Sequence, residues 1–370
     1  MTRRPAPTVG VEEEFHLVDP VSGETRPGAA SVLARAGDRP AGAFHSELLL
    51  SQVEAVTGVC SDLGTLRGQI EEGRRRLDAA ARDEGLRLSA SGTPVRPGPA
   101  PEITPGERFA LITATHAGTV RDYETCGCHV HVGVPDREAG VAVVNHLRPW
   151  LPMLVALAAN SPFHRGRDTG YASWRIIEQA RFPGAGTPPW TASAADYDAR
   201  LDRLVDCGVL ADPGMTFWLA RPSPRFPTVE VRAADSVGTP GEAVLQAALT
   251  RALVRTALDD LAAGREAGKA DDQFCAAALW SAARYGLDGP AIDPEGRGTY
   301  TAARRVRALV DHVRPALEEA GDLDTVRTAV AWLERAGTGT ARQRRAAATG
   351  PGAVIAMLIE QTTEPRCPTP

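Results

Sequence analysis

Three consecutive carboxylates, Glu12, Glu13 and Glu14, sit inside a run with β-branched and aromatic flanks, Val9-Gly-Val-Glu-Glu-Glu-Phe-His-Leu-Val18. Such flanks favour a strand, and side chains alternate along a strand. Glu12 and Glu14 therefore project to one face and Glu13 to the other. Two like charges about 7 Å apart on one strand face repel each other. That repulsion makes sense mainly where a cation sits between them, and oxygen donors point to a hard ion, magnesium in the first instance.

The bulk of the chain frames what surrounds this strand. Its 370 residues can build one large α+β domain with helical elaborations, so a single domain over 1–370 is expected. With 43% hydrophobic and 24% charged residues, neither disorder nor a membrane span is indicated. The net charge of -5 comes without a basic run interleaved with aromatics, which excludes nucleic acid as an expected partner. No apolar signal region follows Met1, so the expected location is the cytoplasm. The six cysteines (Cys60, Cys126, Cys128, Cys207, Cys275, Cys367) lack zinc-finger spacing and read as reduced, mostly buried thiols.

Along the chain, Glu47 to Thr57 reads as a second extended element paired with the first. Leu63, Leu66, Ile70 and Leu77 fall at helical spacing between Asp62 and Gly85, with Asp62 placed to cap the start. Leu86 to Gly92 returns to strand alternation, and Thr93 to Gly106 is a Pro/Gly-rich loop of a length often found beside active sites. Further strands are expected at Cys126 to Val134 and Pro227 to Ala234, with an apolar helix from Asn145 to Ala159. A mainly helical portion runs from about 242 to 370, broken near Asp288 to Gly298 and Gly337 to Gly339.

Several of these elements carry polar groups suited to chemistry. In Cys126-Gly-Cys-His-Val-His-Val-Gly-Val134, His129 and His131 share a face opposite Val130 and Val132, and paired imidazoles aim at a common target. Glu47 and Glu54 form a second acidic set, but seven residues apart on one strand they share a face only if a bulge intervenes. Glu230 and Arg232 share a face while Val229, Val231 and Ala233 face a core. That spacing suits a cation-binding carboxylate beside a phosphate-binding guanidinium, or a simple cross-strand ion pair. Arg165, Arg167 and Arg175 lie on a polar loop that could line a site for acidic groups. There is no GxGxxG, P-loop or GxSxG pattern.

Taken in order, Gly10-Val-Glu-Glu-Glu-Phe, Ser51-Gln-Val-Glu-Ala-Val-Thr, Cys126-Gly-Cys-His-Val-His-Val-Gly, Asn160-Ser-Pro-Phe with Asp168-Thr-Gly-Tyr-Ala-Ser, Arg221-Pro-Ser with Pro227-Thr-Val-Glu-Val-Arg, and Ala282-Ala-Arg-Tyr-Gly-Leu resemble the bacterial carboxylate-amine ligases called glutamate-cysteine ligase type 2. The resemblance implies the glutamine synthetase/guanidino kinase-like fold, in which an antiparallel sheet lines the active site and helices pack on its back. It implies metal ligands at Glu12, Glu14, Glu47, His129 and Glu230, an acidic residue at Glu54 near the amine substrate, and a phosphate contact at Arg232, to which Arg175 is added here.

The implied reaction uses ATP and Mg2+ to join a small-molecule carboxylate to an amine through an acyl phosphate. With glutamate and cysteine it would give γ-glutamylcysteine, ADP and phosphate, with weak activity towards that pair. Two other classes stay open: a zinc-dependent amidohydrolase built on His129 and His131, and a non-catalytic nucleotide-binding member of the fold. A sheet edge or apolar helix could serve a homodimer.

Overall fold

A computed structural model describes residues 6–363. Its centre is a seven-stranded antiparallel sheet of β1 (Val9–Val18), β2 (Ala43–Ser46), β3 (Gln52–Val56), β4 (Arg87–Ser89), β5 (Gly127–Gly133), β6 (Ala220–Pro222) and β7 (Thr228–Asp235). The strand order is β6-β7-β5-β1-β3-β2, with β4 on the C-terminal end of β1. The acidic strand is thus central and pairs with three others: β5 over Val9 to Glu13, β3 over Glu12 to His16, and β4 over His16 to Val18.

Alternation divides this sheet into two faces of opposite character. Val9, Val11, Val130, Val132, Val229 and Val231 are all buried on one face, against Leu66 and Ile70 of the helix Leu63–Asp83, the helix Leu151–Leu157, and the helix Pro240–Ala262. The last is buried almost throughout its first four turns, which needs a well-satisfied N-terminus. Thr239 and Glu242 supply it as a reciprocal capping box, with Pro240 in the first turn, where its missing N–H is not needed. Asp62 caps the helix Leu63–Asp83 by accepting from Thr65 N, as its sequence position indicates.

Three expected elements differ in the structure. Glu47 to Thr57 is not one strand: β2 and β3 form a hairpin, and Glu47 to Ser51 make its turn. The apolar helix starts at Arg137 and breaks into Arg137–Leu147 and Leu151–Leu157, bent by 68° around Pro149. That proline lacks an N–H to continue the ladder, although Arg148 before it keeps helical backbone. The break near Asp288 to Gly298 holds a two-stranded hairpin of Pro290–Ile292 and Thr299–Thr301. Of the cysteines, Cys60, Cys126, Cys128 and Cys275 are free and buried, while Cys207 is free and exposed; Cys367 lies outside the described residues. Among the described residues, no single helix is long and apolar enough to cross a membrane.

Glu13, the acid that alternation turns toward the core, is 2% exposed and needs a permanent partner there. Arg74, 1% exposed on the helix Leu63–Asp83, supplies it with a two-pronged ion pair: Nη2 to Oε1 at 2.6 Å and Nε to Oε2 at 3.1 Å. The same guanidinium donates to the carbonyls of Val237, Gly238 and Thr362, and so ties β1 to the segment after β7 and to the helix Pro351–Thr363. Removing one member of a buried pair strands the other. Arg74→Met is therefore expected to destabilise the fold by about 3–5 kcal/mol in urea unfolding, and the double change Arg74→Met with Glu13→Gln to lose distinctly less.

Candidate functional site

The second face of the sheet carries the ionisable groups, and strand register sets which of them meet. Glu12 lies opposite His129 across β1 and β5, Glu14 opposite Glu54 across β1 and β3, and His131 opposite Glu230 across β5 and β7. The register shifts between Val231 and Ala234, just where Arg232 leaves β7. Its guanidinium reaches back to Glu230 and lies 3.3 Å from His129 Nδ1. Glu12 faces both imidazoles, with Oε2 at 3.4 Å from His129 Nδ1 and Oε1 at 3.2 Å from His131 Nε2. His129 Nε2 lies 3.6 Å from Glu14 Oε1, and Glu14 Oε2 accepts from Gly127 N at 2.5 Å.

The hairpin turn resolves how Glu47 joins this face. Glu54 projects from β3 and Glu47 from the turn before it, so the chain reverses between them and no bulge is needed. Three clusters result whose ligand atoms lie within 4.8 Å of one another: Glu12, Glu54 and His129; Glu12, His131 and Glu230; and Glu14, Glu47 and Glu54. Each is mainly carboxylate and none holds both histidines, a donor set for hard cations rather than for zinc on an imidazole pair. Adjacent ligands of an octahedral magnesium stand about 3 Å apart, close to the 3.2–3.6 Å spacings among Glu12, Glu14, His129 and His131. His129 Nε2 and Arg232 Nε are buried with no hydrogen-bond partner, as expected of donors and ligands awaiting a group that these residues fit.

Proton affinities across the face run in opposite directions. Burial alone would raise the Glu12 pKa, but bonds to His129 and His131 hold it well below the usual range. Glu230 is likewise held low against its burial, by Arg232 and Arg221. On the β3 side Arg232 lowers both carboxyls but does not overcome their burial. Burial, then Glu14 and Glu12, push Glu47 up to about 8, and burial with Glu47, Glu12 and Glu14 pushes Glu54 up further. Burial and Arg232 lower His129, while Glu12 and Glu230 overcome burial to raise His131.

The loop arginines separate. Arg165 and Arg167 lie on a small exposed hairpin, with Arg165 paired to Asp122, so neither joins the site. Arg175, 1% exposed, enters it from the helix Trp174–Gln179. Buried Asp235 at the end of β7 fixes that helix by accepting from Asn160 N, Ser161 Oγ and Ser173 Oγ at 2.7–2.8 Å. Arg175 lines a cavity with Glu14, Glu47, His129 and Arg232. Arg221, quoted within a motif but given no role from sequence, clamps Glu230 from β6 at 2.8 and 3.2 Å. Its signal was the antiparallel register of two short strands, which only the 222–228 turn defines.

Known proteins share both sequence and fold with this chain. The family model "Glutamate-cysteine ligase family 2" matches residues 8–362. A Saccharopolyspora erythraea relative named "Putative glutamate--cysteine ligase 2-2" is 54% identical over 364 residues, 97% of this chain and 93% of its own length. A Nocardia farcinica relative, whose name differs only in ending 2-1, is 44% identical over 99% of this chain and 96% of its own. Among solved structures, a Francisella tularensis glutamate–cysteine ligase in complex with AMP superposes with a TM-score of 0.73 at 13% identity, covering 99% of this chain and 91% of that one. A bifunctional glutathione synthetase from Pasteurella multocida gives 0.70 at 15% identity, over 97% of this chain and 52% of that one. The fold expected from the sequence motifs is the fold found.

Glu47 makes the site sensitive to pH. Its carboxyl is raised from 4.5 to about 8, so its neutral form is favoured in the folded state. The stability this gives is complete below about 4.5 and lost as pH rises through 8. His131, also raised, changes with the same sign. Without metal, the unfolding temperature is expected to fall between pH 6.5 and 8.5, and the rise produced by added Mg2+ to be larger at pH 8.5. Glu47→Gln should reduce that pH dependence, leaving the share carried by Glu54 and His131; a wild-type Mg2+ shift equal at both pH values would refute the assignment.

Proposed function

We propose that this chain, which belongs to glutamate-cysteine ligase family 2, is an ATP-dependent carboxylate-amine ligase with its active site on the acidic sheet face. The observation that carries this reading is the convergence of Glu12, Glu14, Glu54, His129, Glu230 and Arg232 from four strands onto one face, with buried donors lacking partners. The AMP bound to the Francisella tularensis enzyme, which has this fold, supports a nucleotide substrate.

A carboxylate acylates poorly because its leaving group would be oxide, so phosphorylation by ATP to an acyl phosphate must precede attack by the amine. Glu12, Glu14, Glu47, His129 and Glu230 would hold Mg2+, which supplies neutralisation of the triphosphate and incoming carboxylate. Glu230 keeps lone pairs for this role while Arg221 and Arg232 fix its plane. Arg232 and Arg175 hold the transferring phosphoryl group, since both bring buried guanidinium N–H groups without partners. Glu54 takes the proton of the attacking amine, a role that requires its carboxyl to be ionised at the moment of attack. Glutamate with cysteine is the pair in the relatives' names, and activity of this chain with that pair is expected to be weak.

Glu14→Gln tests the reading. It should lower Mg2+-supported, ATP-dependent phosphate release at least ~100-fold while leaving circular dichroism unchanged. Retained turnover removes the metal assignment, nucleotide binding without phosphate release makes the chain a non-catalytic member of the fold, and tightly bound zinc with ATP-independent hydrolysis replaces the ligase reading.

A further inference from the structure

The cavity that opens from the acidic face has two unlike ends. At the first, Arg175 is buried and forms no ion pair among the described residues. Its Nε has no hydrogen-bond partner, and its terminal nitrogens reach only the Arg232 carbonyl, at 3.3 Å. A buried guanidinium in that condition calls for an anion. At the other end stand Phe109, Ile112, Tyr123, Phe182, Met215 and Phe217. Three of these rings pack edge-on or tilted, with centroids 4.7 Å apart for Tyr123 and Phe182, 4.9 Å for Phe182 and Phe217, and 5.7 Å for Tyr123 and Phe217.

Polar groups near the aromatic end are mostly engaged. Arg108 donates to Asp212, Gln52 to the Thr125 carbonyl, and the Thr216 carbonyl and hydroxyl both accept from Arg221. Gln179 Oε1 is the exception: it is buried and without a partner. A free amino acid that presented its side-chain carboxylate to Arg175, as a γ-glutamyl donor must, would set an ammonium and a second carboxylate against this wall. Burying charges without partners costs several kcal/mol. An apolar body meets no such penalty. The cavity volume of about 130 Å³ is near the ~150 Å³ of an apolar protein cavity that accepts benzene, so one ring or a branched aliphatic chain fits.

We infer that the carboxylate substrate is an apolar acid: its carboxylate meets Arg175 next to the phosphoryl group that Arg175 and Arg232 hold, and its branched or single-ring body fills the aromatic end. At most one neutral polar group on that body meets Gln179. This rests on the ligase reading above for the location of the reacting end.

Calorimetric titration in saturating Mg2+ and the non-hydrolysable ATP analogue AMPPNP tests it, with 3-phenylpropanoate, 4-methylpentanoate and L-glutamate as probes. Either apolar acid should bind at least tenfold more tightly than L-glutamate. Ile112→Trp, which fills the apolar end, should weaken that binding at least tenfold with AMPPNP affinity unchanged. Phe182→Ala, which enlarges it, should shift preference toward 3-(2-naphthyl)propanoate. The inference is overturned if L-glutamate binds as tightly as the apolar acids, if neither variant alters the preference, or if AMPPNP excludes the acids, which would give the cavity to the nucleotide base. Apolar acids bound in the cavity of a protein that holds zinc tightly and hydrolyses without ATP would leave this inference standing and remove the ligase reading alone.

Discussion

Like-charge repulsion along β1 is the constraint around which the molecule is arranged. Three adjacent acids cannot share one environment, and strand alternation sorts them into two, each with its own kind of cation. Glu13 receives a covalently tethered one, Arg74, whose remaining N–H groups bind three backbone carbonyls from segments far apart in sequence. Its position does not depend on any solute. Glu12 and Glu14 are left on the open face, where His129 and His131 balance them only in part. The strand is therefore held in place from behind while its charge in front stays unfinished, which is how a site can be preorganised for an ion before the ion arrives.

What the sequence discloses follows from period. The period-two patterns of β1, β5 and β7 place Glu12 with Glu14, His129 with His131 and Glu230 with Arg232, and the structure keeps each pair on the face opposite the valines. The Glu47–Glu54 relation was not legible, because a seven-residue separation on a continuous strand and across a hairpin turn have similar composition; nothing in Leu48 to Val53 marks the reversal. The arginines after Asn160 were equally ambiguous. Arg165 and Arg175 differ in role only because Asp235, sixty residues onward, gathers Asn160, Ser161 and Ser173 and so fixes the helix that carries Arg175. The bend near Pro149 did have a local signal in that proline, which the strong apolar run around it outweighed.

Asp235 deserves comparison with Glu230 on the same strand. Burial raises the proton affinity of both; three hydrogen bonds and Arg175 moderate it at Asp235, whereas two guanidinium groups reverse it at Glu230. Neutral donors suit an anchoring carboxyl, whose task is geometric. Paired arginines suit a carboxylate that must stay ionised beside a cluster of other acids.

The same distinction extends over the whole face and gives it a polarity. Positive partners are concentrated on β5, β6 and β7, as His129, His131, Arg221 and Arg232, while β3 and its hairpin turn contribute Glu47 and Glu54 and no cation to the metal-ligand clusters among the described residues. Proton affinity accordingly rises from Glu230 and Glu12 toward Glu47 and Glu54. The cluster of Glu14, Glu47 and Glu54 offers only oxygens and has the least internal neutralisation. The two clusters built on Glu12 each include an imidazole. A hard divalent ion is drawn to the first by both charge and ligand type, and once there it would lower the proton affinity of Glu47 and Glu54 by the repulsion it removes. Charge missing from one edge of the sheet thus determines where an ion is most needed, and Arg232 on the other edge faces the cavity where an anion would meet it.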